Sequence, residues 1–220
     1  FKPDILAPGS SITTSTLPNG NIYYKNTVGT SFAAPHVGAV AAQILKQYPS
    51  ASPALVKNFI IASAYEGSTT DSKDVDRAWG RLNAHDAVFP TDYYDEYDED
   101  YVENELSGPF QERIYQFNVS AGSEEIIVTL VYSDEVAILN DGLLNNIDLA
   151  MENPSGSTQL PSGYQTYNDD YYNNVEKYVI EDPVSGIWKS RVKVIHLNDF
   201  FGTIPKTQAY AITIRVIKAS

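Results

Sequence analysis

The stretch Gly29-Thr30-Ser31-Phe32-Ala33-Ala34-Pro35-His36-Val37 is the part of this 220-residue sequence best suited to chemistry. It sets a serine behind a glycine and a threonine, at the expected first turn of an Ala-rich helix. A helix N-terminus offers unpaired backbone N–H groups and a positive dipole end. An oxyanion formed beside Ser31 would be stabilised there, and the N–H of Ser31 is itself a candidate donor. Gly29 would let a substrate backbone approach with no side chain in the way. On residue types alone a plainer reading stays open, in which Ser31 or Thr30 is an ordinary helix cap.

The elements that must position these residues follow from periodicity. A helix is expected over about Ser31–Gln47, because Val37, Val40, Ala41, Ile44 and Leu45 recur on one face. Its other positions are mostly small, which suits a helix buried inside a layered domain. Gly38 would then mark a close backbone contact, and Pro35 makes the first turn irregular by removing a hydrogen bond. A second helix starts at Ser52 as cap and Pro53 as first residue, with Leu55, Val56, Phe59 and Ile60 on one face. Ser11–Thr16 and Ile22–Val28 read as strands around Pro18-Asn19-Gly20. Further along, period-two alternation appears in Tyr115/Phe117/Val119, Ile126/Val128/Leu130, Trp188/Val192/Val194 and Tyr210/Ile212/Ile214/Val216. Turn clusters separate these runs, as expected of an antiparallel β-sandwich of about eight strands.

Composition narrows the function classes. Lys and Arg total 15 against 28 Asp and Glu, a net charge of −13, which suits neither nucleic acid nor an anionic membrane as partner. No stretch reaches the roughly 18–20 apolar residues of a membrane span. With no cysteine there is no disulfide, no thiolate metal site and no Cys nucleophile. The acidity is concentrated in residues 91–105, TDYYDEYDEDYVENE, which read as a solvated, self-repelling linker. The organisation expected is therefore 1–90, a linker 91–105, and a sandwich over 106–220. The chain opens at Phe1 and its single methionine is Met151, so a translation start is not expected at residue 1.

The segment Gly29–Val37 resembles the nucleophile motif of the subtilisin-like serine proteases, with Phe32 where that family more often has methionine. Lys2-Pro3-Asp4-Ile5-Leu6-Ala7-Pro8-Gly9 resembles the strand and turn before the nucleophile. Trp79-Gly80-Arg81-Leu82-Asn83-Ala84 resembles the stretch closing the catalytic domain. The resemblance implies an α/β fragment, the C-terminal part of a parallel-sheet domain, in which Ser31 is the acylating nucleophile. Gly29, Thr30 and the Ser31 N–H would then shape the substrate and oxyanion site. It also implies that the catalytic Asp and His and an Asn donor precede the serine, in polypeptide outside this chain. His36 lies about 500° round the helix from Ser31, so it faces elsewhere. His85 and His196 read as packing or surface residues. The 220 residues alone are expected to be inactive, their partners being the missing N-terminal part and a protein or peptide substrate, in an extracellular or cell-envelope setting.

Val128–Gly156, with Asn173-Asn174-Val175-Glu176 and Pro183–Trp188, resembles the jelly-roll domain that follows the protease domain in some alkaline subtilases. Such a domain would brace the catalytic part or engage substrate. Related domains often hold calcium, an oxygen-seeking ion, and Asn146, Asp148, Asp169, Asp170, Asn173, Asn174 and Glu176 are the candidate ligands. Turn-forming Asn and Asp without metal is the other reading. The chemistry on Ser31 requires no cofactor. Two non-catalytic alternatives remain: a binding or structural module with an idle serine, and a carbohydrate-binding sandwich using Tyr164, Tyr167, Tyr171 and Tyr172.

Overall fold

The computed structural model describes residues 3–17, 23–65, 78–90, 101–107, 111–134, 143–159, 173–197 and 207–218. Near the N-terminus, β1 (Ile12–Thr16) and β2 (Tyr23–Thr27) pair antiparallel, with Ile12 opposite Thr27 and Thr16 opposite Tyr23. Helix α1 spans Thr30–Gln47 and carries Pro35 just past its first turn, where the ring removes the helical N–H that would bond Ser31 O. Helix α2 (Pro53–Ala62) starts as its residues dictate: Ser52 Oγ accepts from Leu55 N at 3.1 Å and Pro53 takes the first position. A short α3 (Ala84–Val88) is capped by Asn83, whose Oδ1 accepts from Asp86 N at 3.2 Å.

Two expectations for α1 are not met. Only Val40 and Ile44 of this helix are buried, and Leu45 keeps 45 % of its surface in solvent. Nothing lies within 4 Å of a Cβ built on Gly38, so no close backbone contact explains that glycine. The physical reason is the short supply of partners. Helices α2 and α3 cover one stripe of α1, and the parallel pairing among the described residues is the single bridge Leu6–Arg81. That bridge is held by Leu6 N to Gly80 O at 2.9 Å and Leu82 N to Leu6 O at 2.8 Å.

The rest of the chain is two antiparallel four-stranded sheets facing each other. Strands β3 (Tyr101–Ser107), β4 (Glu112–Val119), β5 (Ser123–Tyr132), β6 (Asn145–Glu152), β7 (Thr158–Gln159), β8 (Val175–Glu181), β9 (Gly186–Leu197) and β10 (Thr207–Lys218) follow in order. They assemble as β3-β10-β5-β8 and β4-β9-β6-β7. Every residue of the four alternating runs picked out above enters the shared core. Residues 101–107 form a strand, so the sheet begins inside the stretch expected to be linker, while 91–100 lie outside the described residues.

On the outer face of the second sheet, Glu152 joins neighbouring strands. It accepts from Lys189 Nζ at 2.6 Å and from Arg191, which hold its carboxyl below the ordinary carboxylate range. A carboxyl depressed by folding adds stability at neutral pH that is lost as pH falls through its folded titration. Glu152→Gln should therefore flatten the acid limb of the unfolding midpoint against pH, a small effect at this solvent-facing site.

The sheet β3-β10-β5-β8 is covered on both faces. Its inner side lines the sandwich core, and its outer side receives α2. Val131, Val175 and Ala211 of that outer side share a buried cluster with Val40, Ile44, Leu55, Phe59 and Trp79.

Candidate active site

Ser31 is the second residue of α1 and is exposed, as is Thr30. No side chain caps this helix end. The first N–H groups of a helix have no partner within it, so the Ser31 N–H points outward beside its own hydroxyl. Gly29 precedes the helix, and its O accepts from Phe32 N at 3.0 Å. A Cβ on Gly29 would sit 3.3 Å from Ser31 Oγ, crowding the hydroxyl.

The turn carrying the serine is held from below. Gly29 N donates to Gly9 O at 2.8 Å. A Cβ on Gly9 would lie 2.9 Å from Gly29 O and 3.2 Å from the Ala33 Cβ, so no side chain fits there without moving the serine turn. Sequence reading took residues 2–9 as a motif without finding this role. The signal was the glycine after Pro8, but only the close approach of two distant backbones explains it.

His36 Nδ1 shares a hydrogen bond with Phe32 O at 2.9 Å, one turn back on its own helix. His85 Nδ1 pairs with the neighbouring Asp86 Oδ1 at 3.1 Å on α3, and Asp86 is also bonded to Asn83. His196 is an exposed residue of β9. Among the described residues, no hydrogen bond joins Ser31 to a histidine.

An apolar groove of about 450 Å³ opens between residues 4–5, α1 and α2. Ile5, Val37, Leu45, Val56 and Ile60 line it, and the ion pair Lys57–Asp4, at 3.5 Å, stands at its rim.

Residues 1–88 match the sequence profile described as the Subtilase family. That segment is similar to the subtilases. Subtilisin-like protease SBT4.14 of Arabidopsis thaliana is 37 % identical over 115 residues, 47 % of this chain and 15 % of the relative. Alkaline serine exoprotease A of Vibrio alginolyticus is 41 % identical over 70 residues, 32 % of this chain and 12 % of the relative. The aligned region thus spans about an eighth to a sixth of these relatives' length. Among solved structures, lipase BlEst2 of Bacillus licheniformis aligns with 54 % of this chain and 22 % of its own, at 13 % identity and a TM-score of 0.32, too loose to bear on the fold.

Behind the subtilase-matching segment, two of the candidate metal ligands, Glu176 and Asn174, make structural hydrogen bonds. Glu176 Oε2 accepts from Leu149 N at 2.6 Å. Asn174 Nδ2 donates to Tyr132 O at 2.6 Å, and its Oδ1 accepts from Lys57 Nζ at 3.4 Å. Asn146 and Asp148 are buried on β6, and Asn173 is half-buried just before β8. Among the described residues, no three His, Cys, Asp or Glu side chains are grouped to hold a metal ion. Asp169 and Asp170, like Tyr164, Tyr167, Tyr171 and Tyr172, lie outside the described residues.

Proposed function

We propose that this chain is the C-terminal portion of a subtilisin-type serine endopeptidase, acting through an acyl-enzyme on Ser31. One observation carries the reading: a subtilase-matching segment presents an exposed serine hydroxyl at an uncapped helix N-terminus, behind a glycine that leaves it uncrowded. In this mechanism Ser31 Oγ attacks the scissile carbonyl carbon. Its proton passes to a histidine and then to the leaving amine, while the Ser31 N–H helps hold the oxyanion. Gly29 and Thr30 border the scissile bond. The histidine and its orienting Asp come from polypeptide outside these 220 residues. The exposed stripe of α1 and the apolar groove beside it support that partner, since both are surfaces a larger domain would cover.

The sandwich belongs, in this reading, to the jelly-roll type, as the interleaved orders β3-β10-β5-β8 and β4-β9-β6-β7 suggest. The whole protein works in an extracellular or cell-envelope setting on protein or peptide substrates. No cofactor enters the chemistry, and a structural calcium would draw its ligands from Asn146, Asp148, Asp169, Asp170, Asn173, Asn174 and Glu176.

Labelling by a fluorophosphonate probe tests the proposal. The 220-residue chain alone should label no faster than its Ser31→Ala variant, because a serine without its base is a weak nucleophile. The chain joined to a segment carrying the Asp and His should label at Ser31. Labelling of the isolated chain would overturn the need for an outside base, and an unlabelled whole protein would overturn the protease reading.

A further inference from the structure

Helices α1–α3 are poorly equipped to stand alone. Helices α2 and α3 have 10 and 5 residues, below the roughly 12–15 at which an isolated helix becomes even marginal in water. Their buried cluster is completed by Val131, Val175 and Ala211, three side chains supplied by the sheet.

Polar contacts at this seam are buried as well as apolar ones. Asn58, in the middle of α2, is fully buried. Its Nδ2 donates to Thr129 O at 2.7 Å and Ala211 O at 2.9 Å, on adjacent strands, while its Oδ1 accepts from Thr213 Oγ1 at 2.7 Å. Three bonds from one amide fix where α2 sits along the sheet and how it is turned. The end of α2 is seized too. Lys177 Nζ donates to Ile61 O and Arg215 Nη1 to Ala62 O, both at 3.0 Å. Cations at a helix C-terminus satisfy its last carbonyls and suit its dipole. Arg215 also reaches towards Asp86 of α3, at 3.9 Å.

We infer that the sandwich is the folding template of the helix layer, with Asn58 as the key that seats α2, so that the helices and the sandwich unfold as one unit. The inference stands apart from the catalytic reading. It requires no chemistry at Ser31, and the buried side chains of α1 share one cluster with α2, α3 and the sheet.

The chain carries its own reporters, since its two tryptophans fall one on each side of the seam. Trp79 is buried with the helices and Trp188 in the sandwich core. Thermal unfolding of the 220-residue chain would be followed by fluorescence in the Trp188→Phe and Trp79→Phe versions, with hydrogen exchange on the unaltered chain as a check. The two transitions should coincide, and α2 should exchange no faster than β5 and β10. Asn58→Leu keeps the bulk but loses all three bonds, and should lower the Trp79 midpoint by roughly 5 °C. Thr213→Val, a milder change, should move it in the same direction by less. Two results would overturn the inference: Trp79 melting ahead of Trp188 in the otherwise unaltered chain, or a Trp79 midpoint that neither variant moves.

Discussion

Ser31→Ala in the complete protein is expected, on the proposed reading, to lower kcat/KM for peptide hydrolysis on the order of 10⁴- to 10⁶-fold, the scale known for loss of a triad serine. The methyl group keeps the helix and its N–H groups in place, so KM should change little while kcat collapses. A companion variant separates the nucleophile from its setting. Gly29→Val would put a branched side chain where even a Cβ already meets Ser31 Oγ at 3.3 Å. It should cost about 100-fold, the scale of displacing a reacting group by about 1 Å. Steady-state kinetics on a peptide substrate measures both. Retained turnover in Ser31→Ala would mean that the hydroxyl is idle and that the binding-module alternative is the better one.

Much of this site was legible because its determinants are local. A serine behind a glycine at the head of an Ala-rich helix fixes the dipole and the open N–H groups, whatever surrounds them. His36 was excluded from the chemistry by helical rotation alone, and its bond to Phe32 O agrees. Gly9 was not legible in the same way. Its role depends on Gly29 O lying 2.9 Å from where its Cβ would be, a meeting of residues twenty positions apart.

The sandwich strands were readable for a similar reason. Period-two alternation records which face is buried, and all four runs landed in one core. What alternation does not record is burial of the opposite face. In β5 every residue from Ile126 to Tyr132 is buried, because α2 covers the side away from the sandwich core. Asn58 hid for a related reason. A polar residue in a helix reads as solvent-facing until the sheet that accepts its three bonds is in place. Helix α1 erred in the other direction. Its small residues signalled burial, yet burial needs a second surface, and the described residues supply only α2 and α3.

Glu176, a candidate metal ligand, also takes a backbone N–H of the opposite sheet, and Glu176→Leu should lower the unfolding free energy by about 2 kcal/mol. Strand β6 pairs with β9 along one edge, and with β7 only at Met151 and Glu152 on the other. Among the described residues, no strand therefore lies beside the Leu149 backbone on that edge. The opposite sheet supplies its partners: Glu176 Oε2 takes the Leu149 N–H at 2.6 Å, and Tyr178 Oη donates to Leu149 O at 3.3 Å. Leucine matches the length of glutamate but offers no acceptor, so a buried N–H would be stranded. Glu176→Gln keeps an acceptor oxygen and sheds a buried charge, so its cost should be well below that of leucine. Chemical denaturation with excess calcium and again with a chelator separates the two roles. An edge-capping Glu176 gives the same difference between leucine and glutamine variants in both conditions. A difference that widens with calcium would make this carboxylate a ligand, and the inter-sheet bond to Leu149 would then be secondary to the ion.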